Sequence, residues 1–193
     1  MKVKKMKIGV IGIGMVGGQL LLWFLMKGWK RGKNLFCYDV DVVKGFSDDV
    51  AKGDIIFICV PTPSNSDGSC NISIVEAVLK KFRGGNKIIV IKSTVEPGTT
   101  AKLAKKYNCR VFFNPEFLTE KNAWKDFLRP DRQIVAPAEM DEKSLENAYL
   151  ILKLLPVAFF MSPSDDCKMC STEAELVKHG ANLFGSTKVS FFN

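Results

Sequence analysis

Short apolar runs alternate along the chain with longer segments in which apolar residues recur every three or four positions. A continuous run such as Asp54–Val60, apolar after its first residue, is typical of a strand that is covered on both faces of a sheet. The runs that we predict as strands are Lys7–Ile11, Leu35–Tyr38, Asp54–Val60, Lys87–Ile91, Arg110–Phe113, Arg132–Ala136 and Val157–Met161.

The segments between these runs have the periodicity of helices. Predicted helices are Met15–Lys27, Ile72–Phe82, a segment beginning at Pro97, Thr119–Leu128, Glu142–Leu155 and a long pattern from about Ser171 to Phe192. Strands that alternate with helices predict an α/β fold, in which right-handed crossovers place helices on both faces of a mainly parallel sheet. The long last pattern predicts a C-terminal helix that follows this sheet.

Charge adds one restriction on the partners of the chain. It has 193 residues, of which 47% are hydrophobic, and 28 basic against 20 acidic side chains give a net charge of +8. A basic chain suits an anionic partner. Nucleic acid is disfavoured because no basic run is interleaved with aromatic residues. A membrane is disfavoured because the longest apolar run, Leu20–Met26, is too short to cross a bilayer. A nucleotide cofactor is the third class of anionic partner that a basic chain suits.

The six cysteines lie at irregular spacings and favour reduced thiols in a cytoplasm over a disulfide framework. No secretory signal is visible at the Lys-rich start. Cys167 and Cys170 form a lone C-x-x-C pair, and the single His179 does not supply the second pair of ligands that a zinc site needs. We therefore expect no metal, and we expect His179 to be a surface or packing residue.

A glycine motif follows the first predicted strand and opens the first predicted helix. Gly12 allows a tight turn, Gly14 lets a diphosphate approach the backbone, and Gly17 lets the helix pack closely on the sheet. The alternative is a coincidental glycine-rich turn. In this context the motif predicts a Rossmann-type, doubly wound sheet. The residues expected to bind the cofactor here are Gly12, Ile13, Gly14, Met15, Val16 and Gly17.

Asp39 ends the second predicted strand, where a carboxylate accepts hydrogen bonds from the hydroxyls of the adenosine ribose. The same carboxylate repels a 2′-phosphate, so Asp39 favours NAD over NADP. A solvated turn aspartate is the alternative, and Asp41 competes for the role. With this motif we assign residues 1–161 to an NAD-binding domain and 162–193 to a linker and central helix. The boundary falls in Ser162–Asp166.

Further segments occur in a fixed order after the glycine motif. They are Val60-Pro-Thr-Pro63, Lys92-Ser-Thr-Val95 with Pro97-Gly98, Asn114-Pro-Glu-Phe-Leu-Thr-Glu120, Pro130-Asp-Arg132, and Ala174-Glu-Leu-Val-Lys178 through Asn182 to Phe191. Together they resemble the family of UDP-glucose, GDP-mannose and related nucleotide-sugar dehydrogenases. The block from Asn114 followed by Pro130-Asp-Arg132 is the specific part, and the resemblance covers nearly the whole chain.

The resemblance implies oxidation of the primary alcohol of a nucleotide sugar to a carboxylate with two NAD. The route runs through an aldehyde, a thiohemiacetal on a cysteine, and a thioester that water hydrolyses. Capsule or cell-wall polysaccharide synthesis is the pathway that it suggests. The same resemblance gives the cofactor two bordering loops and one acidic contact, formed by Val60, Pro61, Thr62, Pro63, Ser93, Thr94, Val95 and Glu120.

The resemblance also implies catalytic roles. Thr94 would orient a water, Glu116 would assist proton transfer and thioester hydrolysis, and Lys178 with Asn182 would stabilise oxyanion charge from one face of a helix. The alternatives are a helix-capping hydroxyl for Thr94, surface or helix-terminal charges for Glu116 and Glu120, and an ordinary exposed lysine and asparagine. Residues expected to contact the substrate are Glu116, Phe117, Leu118, Glu120, Lys178 and Asn182.

The sequence departs from the family pattern in two places. The connector between Asp39 and Asp54 is shorter than the family's, which puts any contact made there in doubt. The chain also stops before the family's glycine-rich segment with the catalytic cysteine and before its second domain. We therefore expect the cofactor-binding half of such an enzyme, completed by a C-terminal half or a homodimer partner. Its last helix would expose Leu183, Phe184, Val189, Phe191 and Phe192.

Three functions remain open on this evidence. The favoured one is a nucleotide-sugar dehydrogenase that is inactive alone or completed by another chain. The second is an NAD-binding module without catalysis of its own. The third is a two-electron dehydrogenase of the hydroxyacid type, which needs a lysine and an asparagine but no cysteine, and which Lys178 and Asn182 would also serve.

Overall fold

A computed structural model describes residues 6–158 and 169–192. Its described strands form one sheet in the order β2-β1-β3-β4-β5-β6. The strands are β1 (Ile8–Ile11), β2 (Leu35–Tyr38), β3 (Ile55–Ile58), β4 (Ile88–Ile91), β5 (Arg110–Phe113) and β6 (Ala136–Pro137). Strand order reverses beside β1, which produces a switch point at the carboxyl edge between β1 and β3.

The first five strands are parallel, and only β6 runs antiparallel, to β5. Every residue of β1, β3 and β4 is buried, which is why these strands are apolar without alternation. Register is aligned across the centre of the sheet, with Ile8 opposite both Leu35 and Ile55. The strands therefore end together, and the loops that follow them meet at one edge.

Helices cover both faces of this sheet, and each face has its own apolar cluster. Phe24, Phe57 and Phe112 belong to one cluster, and Ile58 and Phe113 belong to the other. The helices are α1 (Met15–Met26), α2 (Ser73–Lys80), α3 (Thr99–Tyr107), α4 (Ala123–Leu128), α5 (Glu142–Leu154) and α6 (Ser171–Phe192). The predicted doubly wound α/β fold is confirmed, as is the long last helix.

The short connector between β2 and β3 holds two single turns of 3-10 helix, Val42–Lys44 and Val50–Lys52. The carboxylates of Asp41 and Asp49 cap these turns by accepting the N–H groups of Val43 and Ala51. A third turn of this type, Glu120–Asn122, precedes α4 inside the segment predicted as one helix.

The prediction of a strand over Arg132–Ala136 was largely wrong. Only Ala136 and Pro137 pair with β5, because the backbone before them is occupied by a side chain: Asn114 Nδ2 donates to the carbonyl of Ile134. The strand predicted at Val157–Met161 is not formed at residues 157 and 158, and its remainder lies outside the described residues. The predicted domain boundary near residue 162 lies outside them too.

Helix α6 packs on the sheet through its first half only. Ala174, Glu175 and Lys178 are buried, whereas the second half is exposed. The exposed apolar side chains there are the expected ones, Leu183, Phe184, Val189, Phe191 and Phe192. Within residues 6–158 and 169–192, none of the helices has both the length and the apolar character needed to cross a membrane.

Candidate functional site

The turn after β1 is held open by two glycines with different tasks. Gly12 has a φ of +87°, and a Cβ at this position would lie 2.6 Å from the carbonyl oxygen of Cys59. Only glycine adopts this backbone conformation in so little space. Gly14, at the start of α1, has no atom within 4 Å of where its Cβ would stand. The free space beside Gly14 is room for a ligand against the backbone.

Gly17 allows α1 to start directly against the sheet. A Cβ here would lie 1.9 Å from the carbonyl oxygen of Gly12. The close packing aims the first N–H groups of the helix, which have no partners within it, at the space beside Gly14. The N–H donors and the partial positive charge at the start of α1 suit a diphosphate.

Asp39 is tied to this turn from the end of β2. Its Oδ2 accepts the N–H of Ile13 at 2.6 Å and the ammonium of Lys44 at 3.0 Å, and its Oδ1 accepts the N–H of Asp41 at 2.9 Å. Burial by itself would raise the pKa of this carboxyl, but the two N–H groups and Lys44 more than offset it and hold the pKa below its ordinary value. Asp39 is therefore a fixed carboxylate at the mouth of the glycine turn.

A cavity of about 790 Å³ runs along the carboxyl edge of the sheet. Asp39 and Lys44 lie at the β2 side, Gly12 and Gly14 follow at β1, and Glu116 lies at the β5 side. The predicted cofactor residues in its lining are Gly12, Gly14, Met15, Val16, Asp39, Val60, Pro61, Thr62, Ser93 and Thr94. The sequence motifs thus converge on one elongated site at the switch point.

The two loops that border the cavity are bonded to each other. Thr62 Oγ1 donates to the carbonyl of Thr94 at 2.7 Å, and Ser93 Oγ donates to the carbonyl of Val60 at 2.6 Å. These bonds use the two hydroxyls as structural ties between β3 and β4. The remaining predicted loop residues contribute no lining: Val95 is buried in the core, and Pro63 is exposed on the outside of its loop.

Glu116 lies in the turn after β5 and meets α6 across the edge of the sheet. Lys178 Nζ donates to Glu116 Oε1 at 3.0 Å and to the carbonyl of Glu116 at 2.6 Å. The exposed fractions of the two side chains, 6% and 14%, make this a largely desolvated ion pair. Leu118 N–H donates to the other carboxylate oxygen at 2.7 Å. Two of the predicted catalytic residues, Glu116 and Lys178, are therefore in contact.

A second buried lysine supports the same turn from below. Lys92, at the end of β4, donates from Nζ to Asn114 Oδ1 at 2.6 Å and to the carbonyl of Asn114 at 3.3 Å. The amide of Asn114 cannot flip, because its Nδ2 donates to Gln133 Oε1 and to the carbonyl of Ile134. Burial lowers the pKa of Lys92 to about 8, partly countered by the nearby Glu116 carboxylate.

Lys92 and Glu116 form part of the wall between two cavities. Both line the large cavity, and both line a second cavity of about 270 Å³ under the turn of residues 115–119. Phe117 and Leu118 line only the second cavity, where Arg132 stacks on the Phe117 ring with its guanidinium carbon 4.8 Å from the ring centre. Lys92, Glu116 and Arg132 thus place charged groups at this end of the site.

Cys59 is the cysteine that lines the large cavity. Burial raises the pKa of its thiol to about 12, although the nearby Lys92 opposes the shift. A thiol, unlike a thiolate, is a poor nucleophile. In the part of the chain that the structure describes, no group of three His, Cys, Asp or Glu side chains is arranged to hold a metal ion.

Helix α6 is fastened beside the site by two residues next to Lys178. Glu175 accepts the N–H groups of Gly98 at 2.6 Å and Thr100 at 2.8 Å, so it caps α3 across the interface. Burial raises the pKa of Glu175, an effect that these two N–H groups partly offset. His179 Nε2 lies 2.9 Å from the carbonyl of Val95. His179 is therefore a packing residue with a specific bond.

Two predicted site residues remain outside this arrangement. Asn182 lies one turn beyond Lys178 and is exposed, and Glu120 is exposed and lines neither cavity. Conversely, Lys44, Lys92 and Glu175 were not singled out as site residues from the sequence. Position directly after a strand was a usable signal for Lys92, since apolar strands seldom end in a buried lysine.

Comparison with known proteins places this geometry in a family. Residues 44–152 match the model of the UDP-glucose/GDP-mannose dehydrogenase family, NAD binding domain. The chain belongs to this family. It is 35% identical over 161 residues to a UDP-glucose 6-dehydrogenase of Pseudomonas aeruginosa, and 36% identical over 157 residues to that of Rickettsia typhi. These alignments cover 76% and 77% of the chain.

A solved structure agrees with the fold. The UDP-glucose dehydrogenase of Pyrobaculum islandicum superimposes with a TM-score of 0.75 and 28% identity over 96% of the chain. The chain covers 51% of that structure, and 34% and 35% of the Pseudomonas and Rickettsia proteins. It therefore spans about half or less of these relatives and contains the NAD-binding part of the family. The open cradle at Gly14 and the fixed carboxylate of Asp39 fit that cofactor.

Proposed function

We propose that this chain binds NAD along the carboxyl edge of its sheet and contributes charged groups to the oxidation of a nucleotide sugar at a primary alcohol. The observation that carries this proposal is the continuity of the large cavity from Asp39 to Glu116. One cavity thereby joins a diphosphate cradle to a buried ion pair. NAD supplies the hydride acceptor, and the protein supplies position and charge.

Each residue has a task that its contacts support. The glycine turn and the start of α1 bind the diphosphate, and Asp39 accepts from the adenosine ribose while Lys44 keeps it charged. Glu116 is the proton acceptor at the other end, and Lys178 fixes it through its side chain and its carbonyl. Lys178 also places positive charge where an alkoxide develops. Asn182, on the same face of α6, is the proposed second donor.

The thiolate that the second oxidation of such a sugar requires is not assigned to this chain. Cys59 is the cavity cysteine, and a thiol with a pKa of about 12 remains protonated at neutral pH. We therefore propose that this chain supplies the NAD site, the Glu116 carboxylate and the lysine ammonium groups. The thiolate for the covalent step would come from a cysteine other than Cys59. A homodimer or a C-terminal half that covers the exposed face of α6 is the partner we propose. The described free cysteines fit a cytoplasmic location.

The proposal is tested by binding and turnover measured separately. NAD affinity is measured by calorimetry, and NADH production is followed with UDP-glucose, GDP-mannose and small 3-hydroxy acids. Binding of NAD with turnover of a nucleotide sugar supports the proposal. Turnover of a hydroxy acid supports a two-electron dehydrogenase instead. Binding without turnover, both alone and with an added C-terminal half of a relative, supports an NAD-binding module. Absence of NAD binding at millimolar concentration contradicts all three.

Two substitutions test the proposed catalytic roles of Lys178 and Asn182. Lys178→Ala and Asn182→Ala are expected to abolish turnover and leave NAD affinity within about twofold, because neither side chain lines the large cavity. A matched control is Lys188→Ala, an exposed lysine farther along α6. An equal loss of NAD affinity in Lys178→Ala would count against its proposed role.

A further inference from the structure

The two buried lysines hold the Glu116 turn in the same manner. Lys92 bonds the carbonyl and the side-chain oxygen of Asn114, and Lys178 bonds the carbonyl and the side-chain oxygen of Glu116. The turn is therefore clamped at two alternate residues. Lys92 and Lys178 are the buried lysines of the described chain, with 4% and 5% of their surfaces exposed.

The clamp leaves an excess of positive charge. Lys92 and Lys178 carry two positive charges against the one negative charge of Glu116, and Cys59 beside them is a neutral thiol. Asn114 and Gln133, which complete the network, are uncharged amides. Because these groups are withdrawn from water, their charges act over longer distances than they would on the surface.

The location of this charge follows from the order of the strands. The adenosine ribose belongs at Asp39 after β2, and the diphosphate belongs at Gly12–Gly14 after β1. The rest of the dinucleotide continues toward β4 and β5, where Lys92, Ser93 and Glu116 line the cavity. The nicotinamide ring therefore belongs at the Lys92 end. That ring carries a positive charge in NAD⁺ and none in NADH.

We propose that Lys92 is a positioning residue that makes this site select the reduced cofactor: its ammonium, anchored on Asn114, disfavours the cationic ring of NAD⁺ relative to NADH. Glu116 acts in the opposite direction, and the two lysines together outweigh it. The inference rests on the proposed NAD binding and deepens it. A site that retains NADH is sensitive to its own product, so the NADH to NAD⁺ ratio would regulate it.

The test compares the dissociation constants of NAD⁺ and NADH in variants of the whole chain at pH 7. Lys92→Met removes the charge and keeps the length of the side chain. We expect it to lower the preference for NADH over NAD⁺ by about fivefold, a Coulomb effect of order 1 kcal/mol. Lys92→Arg retains the charge and is expected to keep the preference of the unaltered protein within about twofold.

Two further variants separate charge from damage to the fold. Lys81→Met removes a lysine from the adenosine side of the same cavity and is expected to change both affinities by one common factor. Glu116→Gln removes the negative charge and is expected to shift the preference toward NADH, opposite to Lys92→Met. This variant keeps the proposal testable if Lys92→Met does not fold. A general loosening of the site would not produce shifts of opposite sign.

The outcomes are distinguishable. If the unaltered protein binds neither form, the proposed function is wrong and this inference with it. If both forms bind but the preference is the same in Lys92→Met and Lys81→Met, or Glu116→Gln shifts it in the Lys92→Met direction, only the inference is overturned. A lower preference in Lys92→Met, a higher one in Glu116→Gln and an unchanged one in Lys92→Arg together support it.

Discussion

The two ends of the large cavity are built by different means. At the adenosine end, the contacts come from the backbone of one short turn and from Asp39 and Lys44, which lie five residues apart. At the opposite end, Lys92, Glu116 and Lys178 come from three distant segments and meet only in the folded chain. The first end is therefore formed by residues that are close in sequence. The second end is formed only by tertiary contacts.

The difference shows in what each end tolerates. The glycine turn depends on the absence of side chains, so an added methyl group blocks it by steric overlap. The charged end depends on burial, since the Lys178–Glu116 pair would be worth little in water. Substitutions at the first end should act on packing and cofactor binding. Substitutions at the second end should change the buried charge, and they should therefore change how the free energy of unfolding depends on pH.

The largest effect is expected from Gly17→Ala. The new Cβ would lie 1.9 Å from the carbonyl of Gly12, so the start of α1 must move, and we expect a loss of about 3 kcal/mol in the free energy of unfolding. Gly18→Ala is the matched control, because no atom lies within 4 Å of its Cβ position. The Gly18→Ala control should gain up to about 1 kcal/mol in the free energy of unfolding, because alanine has the higher helix propensity. Urea unfolding compares the two, and equal stabilities would refute the packing argument.

The charged end should respond to pH through Lys92. Its pKa is about 8 in the fold and 10.5 in the unfolded chain, so between these values the unfolded state binds the extra proton. Stability conferred at this position therefore rises as pH rises from about 8 to 10.5, and the burial penalty is fully present below pH 8. Relative to Lys92→Met, the free energy of unfolding of the unaltered protein should increase by about 2 kcal/mol between pH 7 and 10.

This prediction is checked by denaturant unfolding of both proteins at pH 7, 8.5 and 10. The difference between them cancels the groups that titrate alike in both. A difference that does not change with pH would mean that Lys92 is charged throughout and the desolvation argument is wrong.

At the adenosine end, Asp39→Asn should lower NAD affinity about tenfold, the factor for 1.4 kcal/mol. The amide cannot accept from Ile13 N–H and Lys44 while also orienting a ribose as a carboxylate does. Asp41→Asn is the control, since Asp41 is exposed and caps a 3-10 turn. Calorimetry with NAD compares them, and a larger loss in Asp41→Asn would transfer the ribose contact to that residue.

The smallest effect is expected from Glu175→Gln, which weakens the fastening of α6. Both oxygens of Glu175 accept an N–H, and the substitution replaces one of them with an NH2 group that cannot accept, so we expect a cost of about 1 kcal/mol. Hydrogen exchange should quicken in residues 171–178 and stay unchanged in β1. Glu173→Gln, at an exposed glutamate of the same helix, should affect only the helix start. Unchanged exchange around Glu175 would show that apolar packing alone holds α6.

Sequence reasoning succeeded where structure depends on neighbours in the chain. The fully apolar strands, the glycine turn with Asp39, and the bounds of α6 were all predictable, because periodicity and turn chemistry are local properties. It failed at Arg132–Ala136, where a β-like run pairs along only part of its length. The side chain of Asn114 competes there for the carbonyl of Ile134, and no local pattern reveals such a competitor.

The sequence by itself determined the α/β sheet, the diphosphate cradle and the family resemblance, since each rests on residues within one short segment or on their order. Only the tertiary structure decided that Lys178 pairs with Glu116, that Lys92 is buried on Asn114, and that Glu175 caps α3. Burial sets the strength of a charge, and burial is a property of the whole packed chain rather than of any stretch of it.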